Sequence, residues 1–280
     1  MKKVLLTGGS GFIGKNVIPT LSRMCELYAP SRQELNLLDE QAVRGYLQEK
    51  QIELVIHAAN PNPVKNALDK QETLFADSLR MFMNLYQAQE YYEYMYTLGS
   101  GAEYGKTEDM INIREEEAGR FIPGDLYGFA KFTIGQLIEK SKKHCNLRVF
   151  ACYGPGDHES KFITHAIRCC MEHRPVTIRQ NCYFDYLHVS DLAKILEYLI
   201  LHQPPLHSYN VCSGKRYTLG SIAGIVCSLM QVTNDIVYLK DGWNKEYTGN
   251  NERLLAWMGD FRFMSLEEGI RLQIQCETAV

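Results

Sequence analysis

Three polar side chains in the middle of the sequence have the types and the spacing that proton transfer at a carbonyl group requires. Tyr127 precedes Lys131 by four residues in a helix-like segment, so both side chains lie on one helical face. A tyrosine hydroxyl has a pKa of about 10, and a neighbouring ammonium group stabilises its phenolate. Ser100 ends an apolar run and can hydrogen-bond the same reacting oxygen. This set predicts interconversion of a hydroxyl and a carbonyl group.

The start of the sequence has a pattern that fits the nicotinamide dinucleotide from which such a reaction takes its hydride. A short apolar run ends in Gly8-x-x-Gly11-x-x-Gly14, and a helix-like segment follows. Glycine permits a tight turn and close approach of a ligand, while free N–H groups at a helix start favour phosphate. The alternative is a turn that binds no ligand. The position of these glycines ahead of Ser100, Tyr127 and Lys131 favours a cofactor site. The predicted contacts are Gly8, Gly11, Phe12, Ile13 and Gly14.

Two later segments bear on the rest of the cofactor site. A strand predicted over 26–30 is followed by Arg32, whose guanidinium suits the 2′-phosphate of NADP. We therefore expect NADP rather than NAD, the alternative being that Arg32 only faces solvent. Ala58 and Ala59 end the next apolar run and are small enough to let a cofactor approach. In that run, His57 is interpreted as a hydrogen-bonded core residue.

The elements that must position these residues follow from hydrophobic periodicity. Helices are predicted over 71–92 and 127–143, and a strand is predicted over 147–153. Clusters of turn-forming or charged residues predict loops over 60–63 and 105–124. Because the first half alternates strand-like and helix-like segments, we expect an α/β fold with a parallel sheet.

The expected architecture is a doubly wound parallel sheet of the Rossmann type with a smaller C-terminal substrate-binding region. The dinucleotide-binding domain is placed at 1–152, with segments of about 176–215 returning to it. Residues 153–280 are expected to form mainly the substrate-binding region.

Composition excludes several other classes of protein. The chain has 280 residues, 45% of them hydrophobic and 22% charged, and a net charge of -3, so neither nucleic acid nor a membrane surface is an expected partner. No apolar run approaches the roughly 20 residues of a membrane span. The nine cysteines include no C-x-x-C pair, which predicts reduced thiols, a cytoplasmic location and no zinc or other metal site.

The chain resembles the extended short-chain dehydrogenases/reductases, in the NAD(P)-dependent epimerase/dehydratase family that acts mainly on nucleotide sugars. The resemblance covers nearly the full length and depends on Thr7–Gly14, Ser100 with Tyr104-Gly105, Tyr127–Lys131, Tyr153–Gly156, Phe184–Asp191 and Ser265–Ile270.

What the resemblance implies about this chain is specific. Ser100, Tyr127 and Lys131 would form the catalytic triad, with Tyr127 and Lys131 also contacting the cofactor. Asp39, next to Leu38, would lie near adenine. The family also implies a homodimer built partly from the helices predicted over 71–92 and 127–143.

Departures from the family pattern narrow the reaction. Members that dehydrate 4-keto intermediates typically carry Asp-Glu after the strand-end hydroxyl residue, where this chain has Gly101-Ala102. GDP-fucose synthases, which the stretch 32–39 resembles, use a cysteine at the position of Ala102 to epimerise carbon, and alanine cannot exchange a proton. The remaining expectations are reduction of a 4-keto nucleotide sugar, or 4-epimerisation by oxidation, rotation and reduction.

Two further departures concern the substrate. Relatives commonly carry an asparagine and an arginine near the substrate phosphates, where this chain has Ala151 and Phe184. Loss of both groups should weaken binding of a conventional diphosphate unless Arg179, Lys161 or Lys245 supplies the charge. The stretch 153–163, which includes Phe162, resembles CDP-abequose synthase-type 4-ketoreductases. Reduction of a non-nucleotide carbonyl and a non-catalytic dinucleotide sensor remain alternatives.

Overall fold

The computed structural model describes residues 1–61 and 71–278, so part of the predicted loop at 60–63 lies outside the described residues. Six strands form a central sheet in the order β11-β6-β4-β3-β1-β2, and every neighbouring pair is parallel. The strands of this sheet are β1 (Lys3–Thr7), β2 (Glu26–Tyr28), β3 (Leu54–His57), β4 (Tyr94–Ser100), β6 (His144–Val149) and β11 (Ser208–Val211).

The remaining strands form three small sheets. Four of them pair in the order β12-β9-β14-β5, and the others pair as β7 with β10 and as β8 with β13. Their bounds are β5 (Met110–Ile113), β7 (Cys152–Tyr153), β8 (Val176–Ile178), β9 (Tyr183–Phe184), β10 (Leu187–His188), β12 (Tyr217–Thr218), β13 (Ile236–Tyr238) and β14 (Tyr247–Gly249).

Helices cover both faces of the central sheet. α2, α3 and α4 contribute buried side chains to the core on one face, while α1, α6 and α8 do so on the other. α5, α7 and α9 enclose a separate core around β8. Their bounds are α1 (Phe12–Leu21), α2 (Glu40–Lys50), α3 (Gln71–Gln87), α4 (Leu126–Ile138), α5 (Phe162–Met171), α6 (Val189–Leu201), α7 (Leu219–Met230), α8 (Glu252–Met258) and α9 (Leu266–Thr278).

Side-chain alternation along the buried strands explains the two layers of helices. Val4 and Leu6 of β1 contribute to the core beside α1 and α6, whereas Leu5 contributes to the core beside α2 and α3. Because both faces are covered, β1 and β3 are mainly apolar runs rather than alternating ones. The predicted α/β fold with a doubly wound parallel sheet is confirmed.

The order of the strands determines where a ligand can bind. From β1 the chain moves to one side to form β2 and then returns to the other side to form β3. Ligands of doubly wound sheets bind beyond the carboxyl ends of the strands at such a reversal. A Cβ atom on Gly8, which has φ +76°, would lie 2.8 Å from the Ala59 Cα. Glycine therefore lets the turns after β1 and β3 approach each other at the reversal point.

Some predicted elements differ from those observed. The strand predicted over 147–153 is two strands, because the chain leaves the central sheet after Val149 and β7 pairs with β10 instead. The predicted loop 105–124 contains β5, whose edge pairs with β14 about 135 residues later, a partner that local patterns do not reveal. The boundary placed at residue 152 stays a prediction.

Other features bear on predicted partners. Among the described residues, no helix is both long and apolar enough to cross a bilayer. The same part of the chain contains no group of three or more histidine, cysteine or acidic side chains arranged to hold a metal ion. All nine cysteines are free thiols. The cytoplasmic location stays a prediction.

Candidate active site

The carboxyl ends of the central strands open into a cleft of about 1290 Å³. Its lining combines the turn after β1, the end of β4 and the start of α4, which are far apart in sequence. Most of the predicted site residues share this surface: Gly8, Gly11, Phe12, Ile13, Gly14, Arg32, Leu38, Ala58, Ala59, Ser100, Ala102, Tyr127, Lys131, Ala151, Phe162 and Phe184.

The glycine turn at one end of the cleft leaves the start of α1 accessible. A Cβ atom on Gly14 would lie 2.3 Å from the Gly8 carbonyl oxygen, so only glycine allows this close packing. Gly11 is the N-cap of α1, and no side chain caps the helix there. The first N–H groups of α1 therefore remain for a ligand, and the positive end of the helix dipole favours an anionic one.

Ser100 ends β4 and begins a single 3-10 turn over Gly101–Tyr104. Its Oγ accepts a hydrogen bond from the Ala102 amide at 3.1 Å, and the Glu103 Oε1 accepts one from the Ser100 amide at 2.9 Å. This reciprocal capping box fixes both the backbone and the side chain of the serine. The Ser100 side chain also hydrogen-bonds the Tyr127 and Tyr247 hydroxyl groups, so it connects both phenols of the cleft.

A buried ion pair that was not predicted from the sequence anchors that turn. The Glu103 Oε2 accepts hydrogen bonds from Arg148 Nε and Asn146 Nδ2, both at 2.8 Å, and the Glu103 and Arg148 side chains are each 1% exposed. A carboxylate can be buried only when it is paired and hydrogen-bonded in this way. Two features of the sequence could have indicated this pair. Glu103 lies three residues after Ser100, and Arg148 lies within an otherwise apolar run.

Tyr127 and Lys131 lie on the first two turns of α4. Burial raises the pKa of the Tyr127 hydroxyl, and its hydrogen bond with Ser100 acts in the opposite direction. Burial also lowers the pKa of Lys131 to about 8, and the ammonium group donates to the Leu98 carbonyl oxygen at 2.7 Å. Burial outweighs the hydrogen bond with Ser100, so the pKa of the Tyr127 hydroxyl is raised overall, and stabilisation of the phenolate by Lys131 stays a prediction. Tyr127 is therefore protonated at neutral pH and suited to donate a proton.

A second phenol that local sequence patterns did not predict belongs to the same site. Tyr247 of β14 is buried, lines the cleft and hydrogen-bonds the Ser100 side chain. A Cβ atom on Gly101 would lie 2.4 Å from its hydroxyl oxygen. Glycine at 101 thus makes room for this tyrosine, so the absence of an acidic residue there has a steric basis.

The remaining predicted site residues lie outside the cleft. The Asp39 carboxylate caps α2 by accepting from the Ala42 amide at 3.1 Å. Gly101 lies behind the Tyr247 hydroxyl, and Arg179 lines a second cavity of about 410 Å³. The structure thus does not bring Asp39, Gly101 or Arg179 onto the surface shared by the others.

The wall that faces β7 and β9 is largely aromatic. The Phe184 ring lies 5.6 Å from the Tyr186 ring and 5.1 Å from the Tyr247 ring, measured between centroids. Lys161 lines the cleft near this wall, as does Asp157, whose pKa burial raises to about 6. Lys106 lines the same cleft, and its ammonium group lies 4.4 Å from the centroid of the Tyr247 ring.

His57 has the structural role expected of it. It is 2% exposed at the end of β3, and its Nδ1 lies 2.8 Å from the Thr7 hydroxyl oxygen. Burial lowers the pKa of His57 to about 3, and the charge of Lys131 adds to this effect. The imidazole stays neutral and hydrogen-bonded in the core.

Comparison with known proteins agrees with this geometry. The sequence model of the NAD dependent epimerase/dehydratase family matches residues 4–212. The chain belongs to this family. The matched span contains the glycine turn, Ser100, Tyr127 and Lys131, whose roles stay predictions.

Individual relatives of this NAD dependent epimerase/dehydratase family member are distant but span nearly the whole chain. GDP-L-colitose synthase of Yersinia pseudotuberculosis is 26% identical, over 96% of this chain and 95% of its own. GDP-6-deoxy-D-talose 4-dehydrogenase of Aggregatibacter actinomycetemcomitans is 24% identical, over 94% of both chains.

Solved structures of other proteins resemble the fold closely. A GDP-mannoheptose C4 reductase from Campylobacter jejuni with NADP bound has a TM-score of 0.85 at 16% identity, covering 99% of this chain and 98% of its own. A UDP-glucose 4-epimerase from Thermus thermophilus in complex with NAD has a TM-score of 0.83 at 22% identity, covering 99% and 100%. At these identities the likeness establishes the fold.

Proposed function

We propose that this chain is an NAD(P)-dependent enzyme that acts on a nucleotide-activated sugar, by reduction of a 4-keto group or by 4-epimerisation through hydride transfer. The proposal is based on one observation: Ser100, Tyr127 and Lys131 line the same cleft as the glycine turn. Relatives whose names specify GDP-sugars, among them a synthase and a 4-dehydrogenase, support the substrate class.

The cleft fits a nicotinamide dinucleotide. The uncapped start of α1 would hold the pyrophosphate, and Arg32 lies on the same cleft where it would hold a 2′-phosphate. Lys131 and Tyr127 would contact the nicotinamide ribose at the other end. When bound, the cofactor supplies the hydride or accepts it. Because Arg32 is a planar permanent cation, we favour NADP over NAD.

The residues of this chain move the proton. Ser100, fixed by its capping box, donates a hydrogen bond to the sugar oxygen and polarises the carbonyl. Tyr127 then donates its hydroxyl proton to that oxygen as negative charge develops there. Lys131 holds positive charge beside the phenol, which stabilises the phenolate that remains.

The proposal is tested by turnover of purified protein with NADPH and a panel of 4-keto nucleotide sugars, followed by NMR of the product. We expect a 4-hydroxy sugar, and competition by nucleoside diphosphates. Activity on simple carbonyl compounds without such competition would support the non-nucleotide reductase instead. Cofactor binding without turnover on the whole panel, tested in both directions, would indicate a dinucleotide sensor.

Replacing Arg32 with alanine is expected to weaken NADP binding by about 10- to 100-fold, because one charge-assisted hydrogen bond contributes about 1.5–3 kcal/mol. NAD affinity should change by less than about twofold, since NAD has no 2′-phosphate. Isothermal titration with both cofactors measures the difference, and Arg23→Ala, an exposed arginine outside the cleft, is the control. Equal losses for both cofactors would contradict the assignment of Arg32.

We also propose a homodimer formed partly by α3 and α4. The two helices pack side by side, and the ring centroids of Phe75 and Phe129 lie 5.2 Å apart between them. Leu126 and Phe129 are large apolar residues of α4 that remain exposed. Sedimentation equilibrium giving the mass of a single chain at micromolar concentration would contradict this arrangement. The division into a dinucleotide-binding domain at 1–152 and a mainly substrate-binding region at 153–280 is likewise our proposal.

A further inference from the structure

Three hydrogen-bonding groups meet at the Ser100 hydroxyl. The Ala102 amide donates to the Ser100 Oγ at 3.1 Å, and the hydroxyl groups of Tyr127 and Tyr247 hydrogen-bond the same side chain. A serine hydroxyl has one proton to donate and two lone pairs that accept. Because the amide occupies one lone pair, one phenol must donate to Ser100 and the other must accept from it.

The two possible directions of these bonds differ in what they leave for a substrate. If Tyr127 donates to Ser100, then Ser100 donates to Tyr247, and both protons that the proposed reaction uses are engaged inside the protein. If Tyr247 donates instead, both lone pairs of Ser100 are occupied, and the Ser100 proton must point away from Tyr247. Only this second arrangement lets Ser100 and Tyr127 donate to one sugar oxygen at the same time.

Packing holds the Tyr247 ring in one position beside Ser100. The ring is buried, and its centroid lies 5.1 Å from that of Phe150 and 5.1 Å from that of Phe184. The Asp185 amide donates to the Tyr247 carbonyl oxygen at 3.0 Å, which fixes the backbone as well. The Tyr247 hydroxyl therefore has little freedom to turn away from Ser100.

The charge next to this ring favours the donating direction. The Lys106 ammonium lies 4.4 Å from the centroid of the Tyr247 ring. A cation over an aromatic face draws electron density from the phenol, so the hydroxyl becomes a better donor and a poorer acceptor. Burial nevertheless raises the pKa of Tyr247, so the hydroxyl keeps the proton that it shares with Ser100.

We infer that Tyr247 is a positioning residue that donates its hydroxyl hydrogen to Ser100 and thereby directs the Ser100 proton to the substrate oxygen. The inference rests on the proposed function, in which Ser100 and Tyr127 donate to the same oxygen. Gly101 makes the contact possible, because a Cβ atom there would lie 2.4 Å from the Tyr247 hydroxyl oxygen. Since Tyr247 acts through Ser100, the effects of removing the two hydroxyl groups should not add.

A double-mutant cycle of Tyr247→Phe and Ser100→Ala tests this coupling. Tyr247→Phe keeps the ring, so we expect kcat for a 4-keto nucleotide sugar to fall about tenfold, the effect of one hydrogen bond, with KM within about twofold. Ser100→Ala should lower kcat by about 10²- to 10³-fold, and adding Tyr247→Phe should then change kcat by less than about twofold. A further tenfold loss in the double variant would overturn the inference, as would full turnover in Tyr247→Phe.

Tyr96→Phe is the matched control for loss of a buried phenol. It removes a hydroxyl that donates to the Leu199 carbonyl oxygen at 2.8 Å, outside the cleft, so kcat should stay within about twofold. Thermal unfolding of each variant separates a loss of rate from a loss of folded protein.

Neutron diffraction from a deuterium-exchanged crystal of the unaltered protein gives a reading that needs neither a variant nor a substrate. We expect the Tyr247 hydroxyl deuterium to lie on the line to the Ser100 Oγ. A Ser100 deuterium on that line would overturn the inference even if the protein reduces a nucleotide sugar. Absence of turnover on every nucleotide sugar would instead contradict the proposed function, and the hydroxyl orientation would still be read directly.

Discussion

Replacing Tyr127 with phenylalanine is expected to lower kcat for the nucleotide sugar by about 10²- to 10⁴-fold, the usual contribution of general acid–base catalysis. The buried Tyr127 phenol hydrogen-bonds Ser100 and is protonated at neutral pH, whereas phenylalanine has no proton to give. The ring is preserved, so the fold and most cofactor contacts should survive. Oxidation of the reduced cofactor, followed by absorbance under saturating substrate, measures the loss.

The control for this substitution is Tyr91→Phe, which removes a half-buried phenol that does not line the cleft. Its turnover should stay within about twofold of the unaltered protein. Thermal unfolding of both variants checks that a loss of rate is not a loss of folded protein. Full turnover in Tyr127→Phe would show that another group, with Tyr247 the first candidate, donates the proton.

Replacing Arg148 with methionine is expected to lower the free energy of unfolding by about 3–5 kcal/mol, because it leaves the Glu103 carboxylate buried and unpaired. The Ser100 turn depends on that carboxylate, so kcat should fall as well. Urea denaturation measures the stability change. The double variant with Glu103→Met should recover much of the loss, since removing both charges removes the desolvation penalty.

An exposed ion pair in the same chain supplies the comparison. Arg114 and Glu252 lie 2.8 Å apart, with side chains 55% and 68% exposed. Arg114→Met should cost less than about 1 kcal/mol, because solvent screens the pair and the freed carboxylate stays hydrated. If Arg148→Met also lowered the free energy of unfolding by less than about 1 kcal/mol, water would reach Glu103 and the pair would not stabilise the turn.

What could be predicted from the sequence was the part that local patterns encode. The turn after β1 is a run of glycines before a helix, and Tyr127 and Lys131 share a helix face by their spacing alone. Ser100 was placed at a strand end because an apolar run stops there. Each of these depends on fewer than about a dozen consecutive residues, where hydrophobic period and backbone preference decide the structure.

The rest of the site depends on contacts between distant segments. Tyr247 reaches Ser100 only because β14 pairs with β5 and β9, a pairing that no local periodicity specifies. Arg148 meets Glu103 because β4 and β6 are neighbours in the sheet. The effect of burial on the Tyr127 pKa was likewise hidden, since the sequence reveals a nearby lysine but not how much water the fold excludes.

In the turn after β4, the residues that hold the turn in place differ from the residues that could carry other catalytic groups. Ser100 and Glu103 are fixed by hydrogen bonds. The family resemblance implies that other members carry catalytic groups at the two positions between them. Gly101 is blocked by the Tyr247 hydroxyl, while Ala102 already carries a Cβ atom and lines the cleft. A new catalytic group could be introduced at position 102 by a single substitution. At position 101 it would also require a smaller residue at position 247.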